Sequence, residues 1–251
     1  KNLCNINDII NNNIYIFSSN HHTYSKILDI VKLLKPIIII HLSDEWGNKE
    51  EFQNLYKYTK LLLRQYYHSH YYQKPNIKHI SLGYMNGMLE TNYLNLPLKL
   101  PINRKYIWSF IGNMKSDRQE MINKMNLLTP NYIGRLNEIE MRNIYRDSIF
   151  VPNGRGNVKL DCFRLYEASL CGAIPIIVGD KIEIEETFCQ EDNPPWLTFN
   201  NWDEAQYKCS ELLKNIDNLN KISQQIIKWW HTRVLKQKQL IFFKIMFSNI
   251  S

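Results

Sequence analysis

Short apolar runs alternate with helical stretches from the start of the chain. Ile14 to Phe17, Ile37 to Leu42, Leu61 to Arg64 and Ile77 to Leu82 are predicted strands, and Tyr24 to Leu34 has the spacing of an amphipathic helix. The second run is apolar almost throughout, as expected of a central parallel strand that is covered on both faces. This alternation predicts a first α/β domain.

The same alternation returns after a stretch without clear period, from Met85 to Arg104, which contains two prolines. The later predicted strands are Tyr106 to Ile111, Tyr132-Ile133, Ile149 to Val151, Ala173 to Val178 and Trp196 to Phe199. The later predicted helices are Arg118 to Leu127, Asp161 to Cys171, Trp202 to Leu213 and Leu219 to Phe247. The sequence therefore predicts domains over residues 1–90 and 105–251, a linker over 91–104, and a long helical segment at the C-terminus.

A strand-loop-helix-strand unit within the second domain carries the candidate chemistry. Arg155 lies in its loop between two glycines, where a backbone can approach a ligand closely, and the following helix directs unpaired N–H groups to the same edge of the sheet. Asp161, the predicted N-cap, and Arg164 and Glu167 are spaced three apart, so they share one helix face. The two arginines suit a diphosphate and Glu167 a ribose diol; the alternative is a ladder of ion pairs on a solvated face.

These residues resemble the exostosin-like glycosyltransferases. Arg155-Gly156, the run Phe163 to Ala168 (FRLYEA) and the run Gly172 to Ile177 (GAIPII) match, in order, the PRG-type loop, the FRLxEA-type helix and the GxIPVI-type strand of that family. The chain departs from the family in having Asn-Gly-Arg-Gly where Pro-Arg-Gly is usual, and Asp161 where a serine is common.

The likeness continues outside this unit. Trp108 to Asn113 together with Arg118 resembles the opening of the family's donor domain, and Ile80 to Tyr84 resembles its iPLGY element. The resemblance implies the GT-B architecture, an α/β fold in which two Rossmann-like domains face each other across a cleft that holds the active site. A looser likeness of Ser43 to Trp46 (SDEW) and of Leu82 to Tyr84 (LGY) to xylosyl-transferring relatives indicates UDP-xylose as the donor, with glucuronic acid, N-acetylglucosamine, galactose and arabinose left open.

The implied reaction is inverting transfer of a sugar from a UDP-sugar to a glycan hydroxyl. It requires positive charge at the leaving diphosphate and a base that takes the acceptor proton. The predicted donor-binding residues are Asn113, Arg118, Arg155, Asp161, Arg164 and Glu167. Asp44 or Glu45, but at most one of the two, is the predicted base; His21 and His22 are second choices, and capping of the next helix is the alternative role for the carboxylates.

No metal site is predicted. The resemblance implies a metal-independent enzyme in which arginines take the place of a cation, and the sequence contains no DxD-type motif. His68 and His70 have a spacing known from zinc sites, but no third ligand is near them in the sequence. The expected requirement is therefore the UDP-sugar donor alone, without a further cofactor.

The net charge of +7 and the pI near 9.0 suit nucleic acid, an anionic surface or an anionic substrate. No block of basic residues and no nucleic-acid motif supports binding of nucleic acid. The predicted partners are therefore a UDP-sugar and a glycan, and no nucleic acid. The alternatives are a non-catalytic glycan- or nucleotide-sugar-binding protein on the same fold, a sugar-nucleotide epimerase or a phosphorylase, and a nucleic-acid-binding protein on charge alone.

The five cysteines form no CxxC pair, so the sequence predicts mostly free thiols and a reducing compartment. This favours a cytoplasmic location. No apolar run of membrane-spanning length is present, so no membrane span is predicted in this chain. A membrane-anchored Golgi-type enzyme is the alternative if an N-terminal segment has been removed.

Overall fold

The computed structural model describes residues 14–18, 24–47, 50–72, 75–85, 87–88, 98–188 and 194–247. They fall into two compact units. The first consists of the residues up to Ser81 together with those from Lys236 onward, and the second is Leu82–Leu235. Part of the predicted linker, residues 91–97, lies outside the described residues, and the domain bounds 1–90 and 105–251 stay a prediction.

The first unit contains a four-stranded parallel sheet in the order β1-β2-β3-β4. Its strands are β1 (Ile14–Ser18), β2 (Ile38–Leu42), β3 (Leu61–Arg64) and β4 (Ile77–His79). Its helices are α1 (Tyr24–Leu34), a 3-10 helix (Glu50–Tyr58) and α2 (Ser69–Tyr72). All four predicted strands and α1 are confirmed, although β4 ends three residues before the predicted bound; the 3-10 helix was not predicted.

The core of the first unit lies between this sheet and its helices. Ile27 and Val31, one turn apart on α1, are fully buried, and so are Ile39 on β2 and Leu55 on the 3-10 helix. Parallel strands need a crossover that covers a sheet face, and the apolar stripe of α1 supplies it.

The second unit contains a five-stranded parallel sheet in the order β6-β5-β7-β8-β9. Its strands are β5 (Tyr106–Ile111), β6 (Asn131–Gly134), β7 (Ser148–Asn153), β8 (Ile174–Val178) and β9 (Leu197–Phe199). Its α-helices are α3 (Arg118–Met125), α4 (Glu138–Arg146), α5 (Phe163–Leu170), α6 (Lys181–Phe188), α7 (Trp202–Leu213) and α8 (Ile216–Phe247), and Pro101–Asn103 is a 3-10 helix. The last residues of α8 belong to the first unit.

Helices α4 and α6 were not predicted. Helix α4 begins with a capping box, in which the Asn137 side chain accepts from the Glu140 N–H and the Glu140 carboxylate accepts from the Asn137 N–H. At α6, Asp180 accepts from the N–H groups of Ile182 and Glu183. Both start signals are present in the sequence, so these two omissions were avoidable.

Tryptophans hold much of the second core together. Trp108 and Trp202 are almost fully buried, and the Trp108 Nε1 donates to the Leu128 carbonyl at 2.8 Å. On α8, Trp230 is buried, and the Trp229 ring lies edge-on to that of Trp196, 5.2 Å between ring centres. The tryptophans of α7 and α8 therefore pack in or against the core.

Within the part of the chain described, no helix combines the length and the apolar character needed to cross a membrane. Cys162, Cys171 and Cys209 are buried and are not in disulfides. Burial of the Cys209 thiol raises its pKa, which keeps it protonated and unreactive.

Candidate functional site

Two buried arginines lie where strands of the second sheet end. Arg118, the first residue of α3, is 4% exposed. Its Nε donates to the Arg155 carbonyl at 3.0 Å and its Nη1 to the Asn113 carbonyl at 2.6 Å. Its guanidinium lies over the ring of Phe110, 5.6 Å from the ring centre. The loops after β5 and β7 are thus joined by one side chain.

Arg164, the second residue of α5, reaches the same ring from the other helix. Its guanidinium lies 4.6 Å from the Phe110 ring centre; Nη1 donates to the Asn153 side-chain oxygen at 3.1 Å and Nη2 to the Ile111 carbonyl at 3.3 Å. Its guanidinium also interacts with the buried Tyr145 hydroxyl. Gly112 makes room for this arginine, because it has a φ of +154° and a Cβ there would lie 2.8 Å from Nη2.

The electrostatics of this pair favour an anion. The hydrogen bonds of both guanidiniums described above go to neutral oxygens, and both charges are buried. Burial lowers the pKa of Arg118, and the charge of Arg164 lowers it further. Buried charges are normally offset by a counter-charge. A diphosphate would supply this counter-charge.

Glu167, one turn after Arg164 on α5, is 3% exposed, so the alternative of a solvated ion-pair ladder is wrong. Its Oε1 accepts from the Met85 N–H at 3.2 Å. Burial raises the pKa of this carboxyl, while the Met85 bond and the charge of Arg164 oppose the rise. A carboxylate has further lone pairs, so Glu167 retains the capacity to accept from a diol.

The sequence predicted Asp161 as the N-cap of α5, and this prediction is wrong. The helix begins two residues later, with Cys162 as the N-cap and no side-chain cap bond. The Asp161 carboxylate accepts instead from the Tyr166 hydroxyl at 2.7 Å, and Asp161 is buried. The tyrosine bond holds this carboxylate inside the unit, and the N–H groups at the start of α5 have no side-chain cap. Its donor-binding role stays a prediction.

Arg155 already has a carboxylate partner. Its Nη1 and Nη2 donate to the two carboxylate oxygens of Glu183, each at 2.6 Å, and this pairing raises the pKa of Arg155. Its backbone N–H donates to the Asp117 carboxylate at 2.8 Å. Asn113 is exposed and contributes its carbonyl to Arg118. Donor roles for Arg155 and Asn113 stay predictions, and that of Arg155 requires Glu183 to release it.

In the first unit, the predicted base Asp44 is buried and paired with Arg64. The Asp44 Oδ2 accepts from the Arg64 Nη2 at 2.6 Å, and Arg64 is fully buried at the end of β3. The other side of the guanidinium donates from Nη1 to the His41 Nδ1 at 2.9 Å and to the Tyr56 hydroxyl at 2.8 Å. The ring centre of Tyr71 lies 4.2 Å from the Arg64 Cζ.

The tautomer of His41 follows from this arrangement. Burial, and then the charge of Arg64, lowers the pKa of His41 to about 2, so the ring is neutral at ordinary pH. Because a guanidinium can only donate, the His41 Nδ1 accepts and its proton is on Nε2. The ring stacks on Phe17 with 4.5 Å between ring centres. His41 is therefore a neutral support for Arg64, and Asp44 supplies the opposing charge.

Glu45, the other predicted base, is buried beside Asp44. The Asp44 Oδ2 is bound to the Arg64 guanidinium, so we favour Glu45 as the base. Asp44 pairs with Arg64, and the alternative of capping the next helix stays open, because residues 48–49 before the 3-10 helix lie outside the described residues. Both base assignments stay predictions. His21 and His22 lie outside the described residues.

Among the residues with a described position, no group of three or more His, Cys, Asp and Glu side chains is arranged to hold a metal ion. His68 contacts the Asp44 carbonyl through Nε2 at 3.2 Å. This histidine supports the loop after β2.

Sequence reasoning missed three functional partners: Arg64, Asn153 and Glu183. Arg64 had a signal, since a charged residue that ends an apolar strand needs a buried counter-charge. Glu183 had none, because its pairing with Arg155 spans 28 residues and arises from tertiary structure.

Comparison with known proteins gives a match at the level of structure. An alpha-glucosyltransferase in complex with UDP has a TM-score of 0.57 at 12% identity, over 95% of this chain and 84% of that chain. The same kind of enzyme in complex with UDP-glucose and DNA containing an abasic site gives 0.56 at 12% identity, over 95% and 83%. The chain has the GT-B glycosyltransferase fold.

The GT-B fold confirms the predicted fold class, with its two parallel sheets. A third GT-B neighbour, an alpha-glucosyltransferase in complex with UDP and a 13-mer DNA containing a HMU base, has a TM-score of 0.52 at 12% identity, over 94% and 82% of the two chains. No family model matches the sequence, and no curated protein matches it significantly. At this identity the neighbours establish the fold, and the exostosin-like family stays a prediction.

Proposed function

We propose that the protein is a glycosyltransferase that uses a UDP-sugar as donor. The observation that carries this proposal is the Arg118–Arg164 pair, two buried positive charges that hydrogen-bond to neutral oxygens at the carboxyl edge of a parallel sheet. Open α/β sheets bind their ligands at that edge. The GT-B neighbours, which are described as complexes with UDP or UDP-glucose, support a uridine nucleotide as the anion.

In the proposed mechanism, Arg118 and Arg164 neutralise the diphosphate as the bond from the anomeric carbon to its oxygen breaks. Glu167 accepts hydrogen bonds from the ribose hydroxyls. The acceptor oxygen forms the new bond to the anomeric carbon from the opposite face, and its proton passes to Glu45, with Asp44 as the second choice. The arginines supply the charge that a metal ion supplies in other transferases.

The finer features of the proposal rest on sequence motifs. The exostosin-like pattern supports a glycan acceptor and xylose as the first choice of sugar. A nucleic-acid acceptor is the second candidate, and the observation that favours it is that several structural neighbours are described as complexes with DNA. Transfer from radiolabelled UDP-sugars to oligosaccharides and to oligonucleotides distinguishes the two.

Calorimetric titration of UDP in the presence of EDTA tests the donor site directly. We expect micromolar binding by the wild type and a loss of at least about 30-fold in Arg164→Gln and in Arg118→Gln, because each removes a buried charge that meets the diphosphate. Arg146→Gln is the matched control, since Arg146 ends α4, next to the start of β7, and should bind UDP like the wild type. Equal binding by all four proteins would contradict the proposal.

A binding result alone does not distinguish an enzyme from a non-catalytic nucleotide-sugar-binding protein. Release of UDP from a panel of UDP-sugars, with water or an added saccharide as acceptor, makes this distinction. UDP release that is lost in Glu45→Gln while UDP binding is retained supports the enzyme. Tight binding without any turnover would favour the binding protein.

A further inference from the structure

The loop between β5 and α3, residues 112–117, carries a lysine that the proposed mechanism does not use. Lys115 is exposed, and its Nζ donates to the side-chain oxygen of Asn157, in the loop after β7, at 2.7 Å. The Lys115 carbonyl accepts from the Arg118 N–H at 3.2 Å, so the lysine lies beside a buried arginine of the candidate site. An exposed lysine is ordinary on a protein surface. Lys115 differs from other lysines in its partner and in the loop that holds it.

Three hydrogen bonds join the end of this loop and the start of α3 to the loop after β7. The Arg118 Nε donates to the Arg155 carbonyl at 3.0 Å, and the Asp117 carboxylate accepts from the Arg155 N–H at 2.8 Å. Lys115 makes the third bond. Ser116 has a φ of +54°, a region that L side chains rarely occupy. Backbone that its surroundings hold in such a conformation clusters at functional sites.

The partner of Lys115 is neutral. Four other lysines of the second unit pair with carboxylates: Lys99 with Asp147, Lys124 with Asp203, Lys181 with Glu185 and Lys214 with Glu211. The charge of Arg155, at the same edge of the sheet, is likewise offset by Glu183. The amide oxygen of Asn157 accepts a hydrogen bond but offsets no charge. Lys115 therefore retains a positive charge for a ligand.

Transfer from a UDP-sugar creates a negative charge that the donor does not have. Each phosphate of the donor has one ionised oxygen, and the two buried arginines offset these two charges. When the bond between the anomeric carbon and the β-phosphate oxygen breaks, its electron pair stays on that oxygen. The acceptor oxygen forms the new bond to the anomeric carbon and loses its proton to the base. The departing UDP thus carries one negative charge more than the diphosphate of the donor, and a further cation would stabilise it.

We propose that Lys115 is this cation, and that its ammonium leaves Asn157 and binds the β-phosphate as the sugar departs. A lysine suits this role because it carries a compact charge with three donors on a flexible stem. The buried arginines, by contrast, are held by carbonyl oxygens and by the ring of Phe110. A contact that is stronger in the transition state than in the bound donor accelerates the chemical step. The proposal rests on the proposed function, since it concerns the leaving group of the same reaction.

Calorimetric titration with two nucleotides of different charge tests this role. The nucleotides are UDP and its β-methyl ester, in which the oxygen that would leave with UDP is blocked and uncharged. We expect Lys115→Met to weaken UDP binding by at least about tenfold and ester binding by no more than about threefold. Lys115→Arg keeps the charge and should bind UDP within about threefold of the wild type. Lys124→Met is the matched control for overall charge, because Lys124 is a partly exposed lysine on α3, and it should bind both nucleotides like the wild type.

Asn157→Ala separates the charge of Lys115 from its part in joining the two loops. This variant keeps the lysine and removes its partner, so it should bind UDP at least as tightly as the wild type. Two results would show a purely structural role for Lys115 and overturn the proposal: an equal loss of UDP and ester binding in Lys115→Met, or the same loss of UDP binding in Asn157→Ala as in Lys115→Met. Thermal unfolding of each variant checks that it is folded.

The same titrations distinguish failure of this proposal from failure of the proposed function. UDP binding that depends on Arg164 but is unchanged in Lys115→Met would overturn only the role of Lys115. No UDP binding by a folded wild type would overturn the donor site itself, and the role of Lys115 with it.

Discussion

Both units bury arginine at the carboxyl edge of a parallel sheet, but they treat its charge differently. Arg64 in the first unit is bound to the carboxylate of Asp44, and a neutral histidine and a tyrosine accept from its other nitrogen. Arg118 and Arg164 in the second unit donate to carbonyl and amide oxygens. A charge that the protein neutralises itself stabilises the fold, and a charge left for a ligand creates a binding site. The variants below test this distinction.

The largest effect is expected at Arg64. Arg64→Met leaves the buried Asp44 carboxylate without its partner and should lower the free energy of unfolding by about 3–5 kcal/mol. The double variant Arg64→Met/Asp44→Leu should recover most of this loss, because it removes both charges. Urea denaturation measures both. An equal loss in the single and the double variant would show that packing, and not the charge pair, accounts for the stability.

Arg164 should behave in the opposite way. Arg164→Gln removes a charge that Arg118 repels and Glu167 attracts, so the unliganded variant should lose much less stability than Arg64→Met loses. UDP at about 100 times its Kd should stabilise the wild type by about 2.7 kcal/mol and the variant hardly at all. Denaturation with and without UDP makes the comparison. A clear destabilisation of the unliganded variant would place Arg164 in the same structural class as Arg64.

Glu167 is a buried carboxyl on the same helix as Arg164, and the pH dependence of the protein's stability tests its role. Because burial raises its pKa, the wild type loses stability as pH rises from the ordinary carboxyl pKa of 4.5 through the raised value. Glu167→Gln should therefore resist urea better at pH 7.5, and this advantage should vanish toward pH 4. UDP affinity at pH 7.5 should fall by about tenfold, since bonds to the charged carboxylate are lost. A variant that is less stable at pH 7.5 would contradict the assignment.

The smallest effect concerns the Arg155–Glu183 pair, which is partly exposed. Glu183→Gln should change the free energy of unfolding by less than about 1 kcal/mol. If Arg155 also meets the diphosphate, its release should raise UDP affinity by about threefold, measured by calorimetry against Glu185→Gln as the control on the same helix. Unchanged affinity would remove Arg155 from the donor site.

How well the sequence predicted a helix depended on the pattern of its apolar residues. Helix α1 was predicted with its bounds because its apolar stripe repeats every three to four residues over eleven residues. In α6, by contrast, Ile182 and Ile184 alternate with acidic residues, a pattern typical of a strand. Its Asp180 cap, and not its periodicity, marks it as a helix.

The candidate site was predictable as residue types but not as contacts. The spacing of Arg164 and Glu167 placed them on one helix, yet nothing local indicates that both are buried. The sequence also placed Arg155 among the diphosphate ligands, because its pairing with the distant Glu183 was not visible. Which arginine is left for a ligand depends on long-range partners, and these are set by tertiary packing.

Helix α5 limits how this protein can be redesigned. All of its eight residues except Phe163 are buried, and they either pack in the core or carry the charges proposed to meet the nucleotide. A library that varies α5 should consist largely of unfolded or inactive proteins. An engineer who seeks a different donor sugar should leave this helix intact and vary the loop from Gly154 to Lys159.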